Sequence, residues 1–248
     1  MENELFDIVI PIGPNDIEIC RNQIKYIKLN VIGYRKIFLV SCDPSLKLSN
    51  CITINENIFP FTKQDIAIHH GNTTRLGWYL QQLIKLYAGF VIPDILEKYL
   101  VIDADTFFLK PTKFIENDKC LYNTSNAYHK PYFLHMNVLH PSFSKQIQGV
   151  SGICHHMMFD INCLKQMFEL VEKHHNNDVF WNIFIKSVHI ADYEYSGASE
   201  YELYFNYMLQ YHKDKMEIRI LQWKEIGNVN DLSVYNEYDY ITCHWYWR

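Results

Sequence analysis

Apolar and polar positions along this chain alternate between short apolar runs and stretches with helical spacing. Phe6-Asp7-Ile8-Val9-Ile10-Pro11 reads as a first buried strand, broken by Pro11 and Gly13-Pro14. From about Asp16 to Leu29, the residues Ile17, Cys20, Ile24 and Ile27 recur at helical spacing. Lys36-Ile37-Phe38-Leu39-Val40-Ser41 predicts a second buried strand, closed by Cys42-Asp43-Pro44, and Cys51-Ile52-Thr53-Ile54 a short third one. Thr74 is placed to cap a helix through Tyr87, with Gly89 as its stop. Tyr99-Leu100-Val101-Ile102 then makes another buried strand. Strands alternating with helices indicate an α/β domain with a mostly parallel sheet, whose ligands bind beyond the carboxyl ends of the strands. Pro11, Asp43, Asp103 and Asp105 all fall at such ends.

The second half is less regular. Tyr122 to Gln148, rich in Tyr, His, Asn and Pro, reads as a long loop whose aromatic content favours binding. Asp160 is placed to cap a helix through His174, with Leu164, Met167 and Val171 on one face, and Ser199 to cap another through His212. Two further strands are expected near Ile218–Leu221 and Tyr240–Cys243. The chain end, Thr242-Cys243-His244-Trp245-Tyr246-Trp247-Arg248, is so aromatic that it is expected to be packed.

With 248 residues, 48% of them hydrophobic, the chain can bury a large core. Its 23 basic and 28 acidic residues argue against a general nucleic-acid-binding surface but leave room for a local basic pocket. Seven scattered cysteines form no Cys-x-x-Cys, and no zinc-type spacing emerges. The opening Met1-Glu2-Asn3-Glu4 lacks a basic signal-peptide start, and no apolar stretch is long enough to span a bilayer. A soluble, cytoplasmic protein in a reducing compartment is the expectation.

Candidate chemistry centres on Asp103-Ala104-Asp105. If the extended geometry persists past Ile102, residues i and i+2 point to one side and both carboxylates face one pocket. Side by side they repel, so one must be protonated or a cation must sit between them, and oxygen ligands suit Mg²⁺ or Mn²⁺. Such ions keep open positions for phosphate oxygens. The competing reading is a turn former or helix cap. Upstream, Arg75, Trp78, Gln82 and Lys85 share one face of the predicted helix, either as a solvated face or as a pyrophosphate contact. Alternation in Cys154-His155-His156-Met157-Met158 sends His156 and His155 to opposite sides, so one histidine can face a pocket. Ser199 with Glu202 fits a capping box, and Glu200 suits a first helical turn; either carboxylate is also a candidate base. His244 is placed to complete a metal shell of Asp, Asp and His.

Tyr99-Leu-Val-Ile-Asp103-Ala-Asp105-Thr106 resembles the Asp-x-Asp motif of GT-A fold glycosyltransferases. The order of a strand ending at Pro11, the Arg75-to-Lys85 helix and a distal Glu-containing helix fits as well. Gly77-Trp78-Tyr79-Leu80-Gln81-Gln82, His155-His156-Met157-Met158-Phe159-Asp160 and Ser199-Glu200-Tyr201-Glu202-Leu203-Tyr204 look like one branch of small nucleotide-sugar transferases, so the likeness runs from about residue 6 to 247. The resemblance implies a single GT-A-like domain over 1–248, Rossmann-type, with a mixed, mostly parallel sheet flanked by helices. Residues 1–115 would form the nucleotide-sugar half and 116–248 the acceptor and catalytic half. It implies a nucleotide-diphosphate sugar donor, most often a UDP-sugar, with Mn²⁺ or Mg²⁺. Asp105 and His244 would hold the metal. Asp103 would reach the ribose or a metal-bound water, and Ala104 lies in the donor set. Arg75, Gln82 and Lys85 would contact phosphate or sugar, and Pro11 and Asp43 would line the nucleotide pocket. Glu200 or Glu202 would act at the anomeric carbon, with His156 on the acceptor side. The acceptor would be a glycan, glycolipid or protein, and a homo-oligomer is compatible. A nucleotidyltransferase is the competing enzyme class, but Gly13-Pro14-Asn15-Asp16 lacks the cation its phosphate loop would need. A non-catalytic nucleotide-sugar-binding protein is the third reading.

Overall fold

The structure, a computed structural model, describes residues 4–244; the expected packing of Trp245, Tyr246, Trp247 and Arg248 lies outside the described residues. The strands are β1 (Phe6–Ile12), β2 (Tyr34–Ser41), β3 (Ile52–Asn55), β4 (Lys98–Ile102), β5 (Thr106–Phe108), β6 (Lys119–Tyr122), β7 (His156–Asp160), β8 (Met216–Ile218), β9 (Trp223–Glu225) and β10 (Tyr240–Thr242), with shorter pairings between. The helices are α1 (Ile17–Asn30), α2 (Lys63–His70), α3 (Leu76–Val91), α4 (Lys130–Leu139), α5 (Ile161–His174), α6 (Phe180–Lys186), α7 (Ile190–Tyr193) and α8 (Glu200–Tyr211).

The central sheet has the order β7-β4-β1-β2-β3. Strands β1 to β4 pair in parallel and β7 closes one edge antiparallel. Every residue of β1 is buried, as a continuous apolar run in a covered parallel strand requires. Its one carboxylate, Asp7, is fully buried yet satisfied. Arg35 Nη2 donates to it at 2.7 Å, and the backbone N–H groups of Lys36 and Leu96 donate at 3.0 and 2.8 Å. Pro11 lacks an N–H, but β4 pairs only with Asp7, Ile8 and Val9, so the proline lies beyond that ladder.

A smaller sheet decides what meets the Asp-x-Asp segment. Strand β5, just after it, pairs antiparallel with β10, and β10 pairs in parallel with β9. Residues 240–243 are thereby laid beside the Asp-x-Asp segment. Among the described residues, no helix is long and apolar enough to cross a membrane.

Three expectations change. The segment expected to be a long loop contains α4, which starts after His129 with Pro131 in its first turn, where proline is tolerated. The strand expected near Ile218–Leu221 lies at Met216–Ile218 instead, pairing with β6. Helix α3 starts at Leu76 with no side-chain cap and runs through Gly89 to Val91. It is buried on nearly every side, wedged between the sheet, α5 and α8. Gly89 is therefore a contact glycine and not a stop: a Cβ there would lie 2.4 Å from Ile161 Cγ1 and 2.8 Å from Tyr99 Cε1.

Gly89→Ala is expected to destabilise the protein by about 1–3 kcal/mol through overpacking, against a gain of several tenths for a free helical position. Urea unfolding of the two proteins measures this directly.

Candidate functional site

Strand β4 stops at Ile102, and Asp103 to Thr106 form a turn closed by the Thr106 N–H on the Asp103 carbonyl at 3.1 Å. The turn is pinned from below. Gln23 of α1, fully buried, donates to the Asp103 and Thr106 carbonyls at 2.5 and 2.8 Å. The Asp103 N–H donates to the His155 carbonyl at 2.9 Å, and the Cys243 N–H to the Asp105 carbonyl at 3.0 Å. Both carboxylates reach one cleft of about 560 Å³, with Ala104 between them in its wall. The expected convergence is present, but a turn produces it and not strand alternation.

Lys85 organises one side of this cleft. Its side chain is 4% exposed, and Nζ lies 2.6 Å from Asp103 Oδ1 and 2.7 Å from Glu200 Oε1. It also sits 4.3 Å above the Tyr201 ring, whose hydroxyl donates to Asp103 Oδ1 at 2.8 Å. Burial opposes the ammonium charge, but the two carboxylates outweigh it and raise the Lys85 pKa. Burial likewise opposes charge on Asp103, yet Lys85 and the His155 hydrogen bond hold that carboxyl below the usual range. Lys85, expected to contact phosphate or sugar, lines the cleft, and its ammonium is shared between two protein carboxylates.

On the other side, His244 stands between two acids. Its Nδ1 is 3.3 Å from Asp105 Oδ2 and its Nε2 is 3.5 Å from Glu225 Oε1. Burial lowers its basicity, but the Asp105 hydrogen bond and charge, with Glu225 behind, raise the pKa overall. The His155 ring lies 4.8 Å from the His244 ring and 5.1 Å from Trp223. One ligand atom from each of His155, Glu225 and His244 lies within 4.8 Å of the others, so the donor set fits a divalent ion.

His155, not His156, faces the cleft. Its φ of 62° is left-handed, which swings this one side chain outward while its neighbours Cys154 and His156 stay in the core. His156 is caged by Phe108, Phe114 and Tyr240. Burial, then the charges of Arg219 and His155, push its pKa down to about 3. A neutral imidazole sealed in an aromatic cage cannot meet an acceptor, so the assignment of His156 to catalysis is corrected.

The two candidate glutamates separate. Glu200 lines the cleft beside Lys85. Glu202 is 1% exposed and points away, its Oε2 accepting from Ser151 Oγ at 2.6 Å and Gly152 N–H at 3.0 Å. Ser199 Oγ does accept the Glu202 N–H at 3.2 Å, so half of the expected capping box exists. Glu202 is a corrected catalytic candidate: its carboxylate fastens α8 to the Ser151–Gly152 strap. Gln82 is also buried, its Oε1 accepting the Glu200 N–H at 3.1 Å, and the cleft-facing amide is Gln81 instead. Asp43 folds back onto its own turn, accepting from Ser45 N–H and Oγ at 2.9 and 2.6 Å, and does not line the smaller pocket next to Pro11, where it was expected.

That pocket, about 300 Å³, opens beside the cleft and shares Asp16, Arg75, Trp78 and Gln81 with it. Pro11 and Cys42 line its far wall, at the ends of β1 and β2. Arg75 stacks on Trp78 with Cζ 4.4 Å from the ring, while Nε donates to the Tyr195 carbonyl at 2.6 Å and Nη2 to Ser196 Oγ at 3.1 Å. Sequence reasoning missed His155, Tyr201 and Glu225 as site residues. Glu225 carries no local signal; it arrives because β9 pairs with β10 and sets Glu225 opposite Thr242, two residues before His244.

The family of unknown function DUF6492 matches residues 44–237. No curated protein matches the sequence. Among solved structures, the crystal structure of mouse xyloside xylosyltransferase 1 in its apo form is similar, with a TM-score of 0.50 and 9% identity. The likeness covers 96% of this chain and 97% of that one, and at this identity it is a likeness of fold.

Two substitutions test this electrostatic account. Lys85→Met leaves the buried Glu200 and the part-buried Asp103 without their cation and is expected to cost about 3–5 kcal/mol at neutral pH. Lys85 helps hold the Asp103 carboxyl below its usual range, so the parent loses this contribution as pH falls and the cost of the substitution shrinks, which denaturant titrations of both proteins at pH 7 and at lower pH read out. His156 has a folded pKa of about 3 against an ordinary 6.5, so the unfolded chain takes up the proton first and stability falls with pH through that window. His156→Phe is expected to flatten this part of the stability profile.

Proposed function

The chain belongs to the family of unknown function DUF6492, and we propose a function for it from the cleft itself. The protein moves a sugar from a nucleotide-diphosphate donor, a UDP-sugar, to an acceptor hydroxyl, with a divalent metal as cofactor. The observation that carries this reading is the turn Asp103–Asp105 at the carboxyl edge of a parallel sheet, facing a cleft lined by His155, Glu225 and His244. The fold likeness to a xylosyltransferase supports sugar transfer in general.

In this reading the smaller pocket, walled by Pro11 and Cys42, takes the nucleoside, and Arg75 lies where the two cavities meet and where the diphosphate would pass. Asp103, Asp105 and His244, with His155 and Glu225 beside them, would hold the divalent ion, whose charge would offset that of the departing nucleotide diphosphate. In this reading Glu200 is the carboxylate that would act at the reacting carbon. Lys85 Nζ, 2.7 Å away, positions this carboxylate at the cleft, where it would oppose the positive charge that develops on an oxocarbenium-like sugar. Gln82 fixes the start of α8 through the Glu200 N–H, so the position of this carboxylate is set by two residues of α3. Residues 1–115 then serve mainly the donor, and residues from 116 onward bring the acceptor side, where Ser125, Asn126, Ala127 and Tyr132 form the opposite wall.

The test is thermal unfolding against a panel of nucleotide-diphosphate sugars, UDP-xylose among them, with and without Mn²⁺. A donor that is bound at about 100 times its Kd should add about 2.7 kcal/mol, and the gain should need the metal. No shift with any nucleotide sugar, in folded protein loaded with Mn²⁺, would refute the donor reading.

A further inference from the structure

We propose that Glu56 and Lys63 read the base of the donor nucleotide, an assignment that rests on the reading of the smaller pocket as the nucleoside site of a UDP-sugar. The Glu56 carboxylate accepts the uracil N3–H, and the Lys63 ammonium donates to the ring carbonyl beside it.

The smaller pocket lies between two other cavities. It shares Asp16, Arg75, Trp78 and Gln81 with the cleft. It shares Glu56, Lys63 and Leu80 with a third cavity of about 240 Å³, which has no residue in common with the cleft. A nucleotide whose diphosphate lies at the Arg75 end therefore carries its base toward the Glu56 and Lys63 end. Val40, Leu80 and Ile84, all buried, give the pocket an apolar wall that suits a flat ring.

Local structure places both charges without needing either. Lys63 is the first residue of α2, where a cation opposes the helix dipole. The start of that helix is already satisfied by Thr62 and Asp65, with Asp65 Oδ2 accepting the Thr62 N–H at 2.8 Å. The Lys63 stem reaches α3: a Cβ added at Gly77 would lie 4.0 Å from its Cε. Glu56 follows the end of β3 in a fixed turn. Asn55 Oδ1 accepts the Asn57 N–H there at 2.9 Å, and the Glu56 carbonyl accepts the Phe59 N–H at 3.1 Å. Among the described residues, neither the Glu56 carboxylate nor the Lys63 ammonium has a hydrogen bond or an ion pair, although both line one pocket.

Opposite charges that share a pocket without closing on each other leave a gap for a neutral group that gives a proton to one and a lone pair to the other. Uracil presents an N3–H beside its C4 carbonyl and meets a carboxylate and an ammonium in that order. Cytosine has the same outline but reverses both groups, with a bare N3 and an amino group on C4. In the same seat it would turn a lone pair toward Glu56 and N–H groups toward Lys63, and neither charge would gain a partner. The arrangement of charge, and not size, therefore separates the two pyrimidines.

The test is calorimetric titration of the full-length protein with UDP and with CDP, each in the presence of Mn²⁺. UDP should bind about 30-fold more tightly than CDP. Glu56→Gln offers an amide that serves either base, and Lys63→Met removes the donor while keeping the stem. Each should weaken UDP binding about 10-fold and bring the two diphosphates within about 3-fold of each other. The double exchange Glu56→Lys with Lys63→Glu should reverse the order, so that CDP binds more tightly, which a merely structural role for either residue would not produce. Thermal unfolding without ligand checks that each variant folds, and a single variant that fails is replaced by Glu56→Ala or Lys63→Ala. UDP bound by both single variants as tightly as by the parent, or CDP bound by the parent as tightly as UDP, would overturn the assignment and leave the donor reading standing. Neither diphosphate bound by the folded parent would refute the donor reading, and this assignment with it.

Discussion

The buried ammonium of Lys85 is the constraint on which the rest of the cleft depends. It joins three elements that are distant in sequence: α3, which carries it, the Asp103 turn after β4, and the first turn of α8, which presents Glu200. A buried ammonium is stable there only while its two carboxylates are held close. The shape of the cleft and the charge state of its walls are therefore one property. Tyr201 adds its ring and hydroxyl to the same knot, so the floor of the site has almost no freedom to relax.

Around that knot the protein sorts its acids and imidazoles by depth. Glu202 and His156 are sealed away, one as a fastener of α8 and the other as a neutral ring in an aromatic cage. Glu200, Asp105, His155, Glu225 and His244 reach the cleft. Residues adjacent in sequence thus have opposite fates: Glu200 and Glu202 diverge because a helix turns between them, and His155 and His156 diverge because the backbone reverses hand at His155. A charged or titratable group at the cleft wall retains solvent or a ligand as a partner. The same group one or two residues away must find its partner within the protein or give up its charge.

Much of the architecture is legible along the chain because it is local. Fully apolar runs such as Ile8–Ile10 and Leu100–Ile102 have few alternatives to covered parallel strands, and Asp160 caps α5 with its own side chain at 3.0 Å. Helix α4 was hidden because its His, Tyr and Pro content imitates a loop. Gly89 looks like a helix stop because its real reason, the Ile161 and Tyr99 side chains above it, lies in other elements. The candidate site was legible only in part. The Asp103–Ala104–Asp105 triplet and Glu200 announce themselves by charge set against apolar surroundings. His155, Glu225 and Tyr201 do not, since nothing nearby in sequence distinguishes them from surface or core residues.

The sequence by itself determined the α/β class, the parallel core and the place where two carboxylates end an apolar strand, because periodicity and turn chemistry act over a few residues. Tertiary structure alone decided which titratable groups meet. The pairing of β5 with β10 and of β10 with β9 carries Glu225 and His244 to the Asp turn, and the packing of α3 against α8 brings Lys85 to Glu200. Those encounters depend on strand register and on burial. Both are set by the whole core at once, and neither is written in any single segment.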